Sequence, residues 1–211
     1  MSRLYRGVEL IKDNPSFAVL LKPCNITTTP SNDVNAPSLV SIFREMFPGT
    51  ISHPAVHRLD RATSGLVILA KNSRAHSELS RQFREREVYK EYRAILDGVV
   101  ESPSGIIKLP FKTDPNNRPY QIFSEDGKMG ITEYHLISCK NSKTELLFIP
   151  KTGRTHQLRV HSAHKLGLNC PIIGDNFYGK PAERLYLHAS KIIFRDPING
   201  ETIELESEPN F

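Results

Sequence analysis

The sequence contains no tryptophan and only three cysteines among its 211 residues. Cys24, Cys139 and Cys170 are far apart and odd in number, which argues against a disulfide framework and against a structural zinc site. We therefore expect reduced, half-buried thiols.

A long apolar run is also missing. No stretch approaches the roughly 20 residues that cross a bilayer, and the N-terminal segment MSRLYRGVELIKD lacks the apolar core of a signal peptide. The sequence therefore predicts a cytoplasmic protein with no membrane partner.

Acidic residues are the smaller charged class. The 23 Asp and Glu stand against 28 Lys and Arg, which gives a formal net charge of +5 and an isoelectric point near 9.1. A basic protein favours an anionic partner. Because no membrane segment is present, the leading partner is nucleic acid.

The apolar residues that are present are spaced as in a protein with both helices and strands. Short β-rich runs predict strands over 16–23, 65–71 and 89–98, and the second is continuous enough to be a central strand covered on both faces. Apolar positions at helical spacing predict helices over 36–47 and 73–87.

Two dipeptides predict tight turns between further strands: Asp126-Gly127 and Asn199-Gly200. No repeat, low-complexity tract or long linker interrupts the chain. We therefore predict an α+β fold, with one catalytic domain over residues 1–211 on a mixed, largely antiparallel sheet with flanking helices.

The segment VHRLDRATSGLVILAK has three charged or titratable groups, His57, Arg58 and Asp60, directly before the apolar strand. Charged residues directly before a buried strand are consistent with a functional site at the end of that strand. For an Asp between two arginines, here Arg58 and Arg61, a surface ion pair worth about 0 to 1 kcal/mol is the more common interpretation. The residues alone leave both interpretations open.

A second basic segment is LLFIPKTGRTHQLRVHSAHKLG. Positions 151–165 hold four Lys or Arg, three His and no acid. Thr155 is predicted to cap a helix that ends at Gly167. The start of such a helix, flanked by Arg154 and Arg159, is predicted to bind a phosphate.

Other polar residues have ordinary structural interpretations. His156, His161 and His164 suggest a metal site, but no HExxH spacing or carboxylate accompanies them, so solvated or capping roles are favoured. Tyr92 in a strand is typical of core packing. These features predict a basic domain that binds RNA or another phosphate-rich ligand, and they give no reaction.

Five segments together resemble the RluA-type pseudouridine synthases. HRLDRATSGLVILAK is similar to the family's nucleophile segment, KEYRAILDG to its second segment, and TGRTHQLRVH followed by PIIGDNFYG to its third. Lys22-Pro23 and LYLHA at 185–189 occur in the family's order. RQFREREVYKEY and LPFKTDPNNRPYQ resemble the short members, which lack an N-terminal RNA-binding domain and modify both a tRNA anticodon loop and a 23S ribosomal RNA hairpin.

The resemblance implies a role for each residue. Asp60 is the implied nucleophile, Arg159 the cation that keeps it ionised, and Tyr92 the ring that packs on the target base and later removes the proton at carbon 5. Arg58 is implied to fill the space left when the uridine flips out of the RNA stack. Attack on the sugar, attack on the base and elimination to a glycal all stay open. The other implied substrate-binding residues are His57, Arg154, His156, Gln157 and Leu187.

The implied reaction needs no added group. Isomerising uridine breaks a bond from nitrogen to the sugar and forms one from carbon 5, with no redox change, so the resemblance implies no cofactor and no metal. The expected partner is structured RNA, and the expected state is a monomer. Two rivals remain: a non-catalytic RNA-binding domain, and a metal-dependent hydrolase that uses His156, His161 and His164.

The sequence departs from the family pattern at two places. A glycine usually follows Lys-Pro closely, but this chain has KPCN, so we expect Asn25 to take the left-handed turn conformation. Cys170 stands where a histidine often precedes the Pro-Ile-x-Gly-Asp segment. Both departures concern loop geometry rather than the residues assigned to chemistry.

Overall fold

The computed structural model describes residues 3–31 and 36–211. The chain forms two compact units. The first contains the residues up to 90 together with 189–210, and the second contains 91–188 together with Phe211. The expectation of one domain over the whole chain stays a prediction.

The described residues form strands and helices in the following order: β1 Arg3–Tyr5, β2 Val8–Asp13, β3 Phe17–Lys22, α1 Leu39–Met46, β4 Ser64–Ala70, α2 Ser73–Arg84, β5 Tyr89–Asp97, β6 Ser104–Thr113, β7 Gln121–Phe123, β8 Lys128–Lys140, β9 Lys143–Pro150, α3 Gln157–Ala163, β10 Leu187–Arg195 and β11 Thr202–Glu206.

The first unit is built on the strand order β1-β2-β3-β4-β10, with β11 paired to β10. All seven residues of β4 are buried, which confirms the predicted central strand. Gly65 has a φ of +126°, and a Cβ at this position would lie 2.4 Å from the carbonyl oxygen of Ala189. The close approach of β4 and β10 therefore requires glycine.

The two helices of this unit follow from local sequence. Ser38 and Ser41 form a capping box at the start of α1, in which each side chain accepts a hydrogen bond from the other residue's backbone N–H. α2 buries Ala75 and Leu79 in the core of the unit. It ends at Arg84, three residues before the predicted end at 87, because Arg86 adopts a left-handed φ of 62°.

The second unit has the strand order β5-β9-β8-β6-β7, with antiparallel pairing throughout. The predicted turn at Asp126-Gly127 lies between β7 and β8, and the predicted hairpin at Asn199-Gly200, in the first unit, joins β10 to β11. Both predictions are confirmed. The α+β class with a largely antiparallel sheet is confirmed as well.

The prediction for α3 was wrong at both ends. His156, not Thr155, is the N-cap, and it has a left-handed φ of 56° and no side-chain cap. The helix ends at Ala163 rather than Gly167, because the chain turns back there with hydrogen bonds from the Leu168 and Cys170 N–H groups to His161 and Ser162 carbonyls.

Among the residues that the structure describes, no helix is long and apolar enough to cross a membrane.

Candidate active site

A buried lysine holds the charged loop in front of β4. Lys22, at the end of β3, is fully buried, and its Nζ donates to the carbonyl oxygens of Pro23 at 2.9 Å and Ile26 at 2.9 Å. The same Nζ donates to the Arg61 carbonyl at 3.2 Å. One ammonium group therefore ties the turn after β3 to the residue that follows Asp60.

The residues on both sides of Asp60 are fixed through their backbones. The Thr28 hydroxyl donates to the Leu59 carbonyl at 2.9 Å and accepts the Leu59 N–H at 3.0 Å. Asn25 donates its N–H to the Arg61 carbonyl at 2.8 Å and accepts the Arg61 Nε–H at 3.1 Å. Asn25 has a φ of 69°, which confirms the left-handed conformation expected from the sequence.

Side chains along this loop alternate in exposure. Arg58 is exposed, Leu59 is buried, and Asp60 is half-buried. Because Leu59 anchors the loop in the core, Arg58 projects towards solvent two positions before the half-buried carboxylate of Asp60.

His57 has a structural role within the first unit. Its Nε2 accepts the Ile68 N–H at 2.9 Å, and its ring stacks on Phe83 with centroids 4.4 Å apart. Burial, assisted by the Lys90 cation, lowers the pKa of His57 to about 3. The ring is therefore neutral at physiological pH and accepts a hydrogen bond from the backbone of β4.

A buried ion pair dominates the second unit. Arg159 on α3 is 3% exposed and Asp175 is fully buried. Arg159 Nε lies 2.8 Å from Asp175 Oδ2, and Nη2 lies 2.6 Å from Oδ1. This two-point geometry fixes the plane of the guanidinium. The predicted phosphate contact of Arg159 at the start of α3 is wrong, because this side chain is buried and pairs with Asp175.

The chain around Asp175 wraps the pair on two sides. Asp175 Oδ1 also accepts the N–H groups of Phe177 at 3.0 Å and Tyr178 at 3.1 Å. The rings of these two residues lie 5.1 and 5.4 Å from the Arg159 Cζ. The turn therefore supplies the counter-ion and two aromatic faces to the same guanidinium.

Tyr178 links this pair to His156. Its hydroxyl accepts the Gln121 N–H at 2.9 Å and lies 2.8 Å from His156 Nδ1. Burial raises the pKa of Tyr178, so the phenol keeps its proton at physiological pH while it is hydrogen-bonded to His156. His156 is buried, and its ring is oriented by this contact.

Gln157 connects the loop before α3 to β8. Its Oε1 accepts the Thr152 hydroxyl at 2.6 Å and the Arg154 N–H at 3.1 Å. Its Nε2 donates to the Ile131 carbonyl at 3.0 Å and the Thr132 hydroxyl at 2.9 Å. The amide is thus saturated by the protein, whereas the Arg154 side chain is exposed.

Tyr92 and Leu187 complete the set predicted from sequence. Tyr92 is half-buried on β5, opposite Phe148 of β9, and Leu187 is buried at the first position of β10. The first unit thus carries His57, Arg58 and Asp60 on one loop, and the second unit carries the other predicted residues: Tyr92, Arg154, His156, Gln157, Arg159 and Leu187.

Comparison with known proteins identifies the family to which this chain belongs. The family model for RNA pseudouridylate synthase matches residues 16–164, a range that includes the charged loop, β5 and α3. The chain belongs to the RNA pseudouridylate synthase family.

Relatives of this pseudouridine synthase match it over nearly their whole length. The dual-specificity RNA pseudouridine synthase RluA of Pasteurella multocida is 38% identical over 212 residues, which are 97% of this chain and 94% of the relative. The protein of the same name from Escherichia coli strain K12 is 37% identical over 210 residues, which are 96% and 93% of the two chains.

A solved structure supports the same assignment. Human RNA pseudouridylate synthase domain containing 1 has a TM-score of 0.80 and 27% identity, over 97% of this chain and 84% of that chain. The protein is an RNA pseudouridine synthase, an isomerase that acts on RNA uridines.

The three histidines of the rival metal site have separate surroundings in the synthase. His156 contacts Tyr178, His161 packs edge-on against Phe111, and His164 stacks on Phe123. Within residues 3–31 and 36–211, no group of three or more His, Cys, Asp or Glu is arranged to hold a metal ion.

Sequence reasoning missed Lys22 as a loop anchor and Asp175 as the partner of Arg159. Asp175 had a readable signal, because it is the one acid in the apolar, glycine-containing segment CPIIGDNFYG. An arginine on the apolar face of a short helix needs a buried acid, and this segment supplies one. Lys22 gave no comparable signal, since its partners are backbone carbonyls.

Proposed function

We propose that this pseudouridine synthase has two substrates, a tRNA anticodon loop and a 23S ribosomal RNA hairpin. The supporting observation is the near full-length similarity to relatives named dual-specificity RNA pseudouridine synthases. The net charge of +5 suits a polyanionic substrate.

Asp60 is the nucleophile in this proposal. A carboxylate can attack and later leave, so it needs a fixed position more than it needs a proton relay. The backbone clamps on Leu59 and Arg61 support such a role, because they restrict the loop on both sides of Asp60. Lys22 is then a positioning residue that acts through the loop.

Arg159 and Tyr92 are the two further catalytic residues of the proposal. Arg159 keeps Asp60 ionised, and its two-point pairing with Asp175 supports the role by fixing the guanidinium in one orientation. Tyr92 packs on the target base and removes the proton at carbon 5 once the new bond has formed.

The proposed RNA contacts fall into two kinds. Arg58 and Arg154 are exposed cations that touch RNA directly, Arg58 in the opened stack and Arg154 at a phosphate. His57, His156, Gln157 and Leu187 stay in the substrate-binding set. The internal hydrogen bonds of His57 and Gln157 favour an indirect contribution, through the shape of the loops that carry Asp60 and Arg154.

We further propose that the synthase works as a cytoplasmic monomer without a cofactor. Sedimentation of the purified protein tests whether it is a monomer. Turnover after exhaustive chelation tests whether the reaction needs a bound metal. Loss of activity that one equivalent of zinc restores would revive the histidine site, whereas rescue by magnesium alone would reflect folding of the RNA.

Tritium release tests the proposed substrates and nucleophile together. RNA labelled at carbon 5 of uridine should release tritium from an anticodon stem-loop and from a 23S rRNA hairpin, but not from a duplex of matched composition. Asp60→Asn should abolish release while RNA affinity changes little. Tritium release from only one hairpin would contradict the proposed dual specificity. Full turnover by Asp60→Asn would contradict the proposed role of Asp60 as the nucleophile.

A further inference from the structure

An aromatic cleft in the second unit has no part in the chemistry proposed above. Its volume is about 350 Å³, within the range of roughly 300 to 1,000 Å³ typical of small-ligand pockets. Two ring pairs line it. Tyr120 stacks on Tyr178 with centroids 4.7 Å apart, and Phe123 stacks on His164 at 5.4 Å.

Two hydrogen-bonding groups in this cleft have no partner among the residues that the structure describes. One is the Tyr120 hydroxyl. The other is His164 Nε2, because Nδ1 already accepts the Leu166 N–H at 3.2 Å and a neutral ring then carries its proton on Nε2. Burial and the Lys165 cation lower the pKa of His164, which favours this neutral form.

Exposed cations adjoin the wall residues in sequence. Lys165 follows His164, and Arg118 precedes Tyr120 by two positions; both side chains are exposed. Stacking faces, a donor, a hydroxyl and nearby cations match an unstacked nucleotide, whose base has two π-faces and a polar edge and whose phosphate is anionic. A purely apolar ligand would leave the two polar groups unsatisfied.

We infer that this cleft binds a second unstacked base of the RNA substrate, a neighbour of the target uridine. Tyr178 supports the assignment to a neighbour, because the ring that stacks on Tyr120 also lies 5.4 Å from the Arg159 Cζ. Binding energy from this base would offset the cost of opening the loop. The inference rests on the proposal that structured RNA is the substrate.

Replacing one wall residue tests whether RNA uses the cleft. Tyr120→Leu removes a stacking face, so it should weaken binding of an anticodon stem-loop roughly tenfold. Tyr120→Phe keeps the ring, so it should weaken binding of the stem-loop less than Tyr120→Leu does. Ile137→Ala is the matched control, because Ile137 is an exposed apolar residue of the same unit that does not line the cleft; it should bind RNA as the wild type does.

Abasic RNA identifies the base and separates binding from a folding defect. Each loop nucleotide of the stem-loop is replaced in turn by an abasic one, and Kd is measured with wild type, Tyr120→Leu and Phe123→Ala. At one position the abasic change should raise the Kd of the wild type about tenfold and leave the Kd of each variant almost unchanged. Either variant serves if thermal unfolding shows the other to be misfolded.

The outcomes separate the cleft from the proposed substrate. The inference would be overturned if the abasic change and the protein variant caused additive losses of binding free energy at every position, or if Tyr120→Leu bound RNA with wild-type affinity. Either result would leave the proposed RNA substrates unaffected. Failure of wild-type protein to bind or modify either the anticodon stem-loop or the 23S rRNA hairpin would instead overturn the proposed substrate, and the inference with it.

Discussion

Arg159 and Asp175 pair through two hydrogen bonds, of 2.8 and 2.6 Å, and both side chains are buried in the second unit. Burying both charges costs desolvation energy that the pairing must offset. Such a pair adds little to stability by comparison with apolar packing. We propose that its value lies in fixing the orientation of the guanidinium that is proposed to keep Asp60 ionised.

Removing the charge of Asp175 should therefore affect both stability and catalysis. Asp175→Asn removes the carboxylate that forms two charge-assisted hydrogen bonds with the buried guanidinium, so we expect the free energy of unfolding to fall by about 3 to 5 kcal/mol. Turnover should fall more than RNA affinity does. Urea denaturation measures the first effect, and single-turnover kinetics with separate binding measurements give the second.

Two variants control this experiment. Asp126→Asn breaks an exposed pair with Lys112, so it should change stability by only about 0 to 1 kcal/mol. Arg159→Lys keeps the charge but lacks the planar fork, so it should restore only part of the activity that Arg159→Met loses. Equal turnover in the Lys and Met variants would contradict the orientation argument.

The clamp between Thr28 and Leu59 gives a second prediction. Thr28→Val keeps the side-chain shape but removes a hydroxyl that both donates and accepts, which leaves two buried backbone groups unpaired at a cost of about 1 to 3 kcal/mol. We expect a lower kcat with little change in KM, because the loop that carries Asp60 loosens. Thr28→Ser keeps the hydroxyl and should preserve kcat; an equal loss in Ser and Val variants would show that the hydroxyl is not the cause.

Buried histidine makes stability depend on pH. Neither ring nitrogen of His161 has a hydrogen-bond partner among the described residues, and burial lowers the pKa of His161 to about 4. Between about pH 6.5 and 4 the unfolded chain binds this proton and the folded chain does not, so stability falls as the pH falls, by up to about 1.4 kcal/mol per pH unit.

The variant His161→Leu isolates this contribution. It should flatten the pH dependence of the free energy of unfolding between pH 6.5 and 4, measured by urea denaturation. Some dependence should persist, since burial and Lys90 also lower the pKa of His57, to about 3. The same slope in wild type and His161→Leu would mean that His161 does not titrate differently on folding.

Local patterns predicted local structure well in this chain. The continuous run that became β4, the helical spacing of α1 and the Asn-Gly hairpin each depend on neighbours in sequence. The boundaries of α3 could not be predicted, because the left-handed φ of His156 and the fixed side chain of Gln157 depend on contacts with Tyr178 and β8. The site residues were predicted from segments that resemble the family, whereas the roles of Asp175 and Lys22 became visible only in the folded structure.

Arg58 and Arg154 are both exposed, yet we predict different defects when each is removed. Arg154→Ala removes a phosphate contact, so it should flatten the dependence of RNA binding on salt by roughly one unit of log–log slope and weaken all substrates alike. Arg58→Ala should change that slope only modestly, because its proposed place is the opened stack. Its turnover on a folded hairpin should fall sharply.

A substrate with its target uridine already unpaired distinguishes the two roles of Arg58. Flipping a stacked base costs a few kcal/mol, and that cost is largely absent when the uridine lies in an unstructured strand. The turnover deficit of Arg58→Ala should therefore shrink on such RNA, whereas the deficit of Arg154→Ala should persist. Equal Arg58→Ala deficits on folded and unstructured RNA would leave Arg58 as a phosphate ligand or a positioning partner for Asp60.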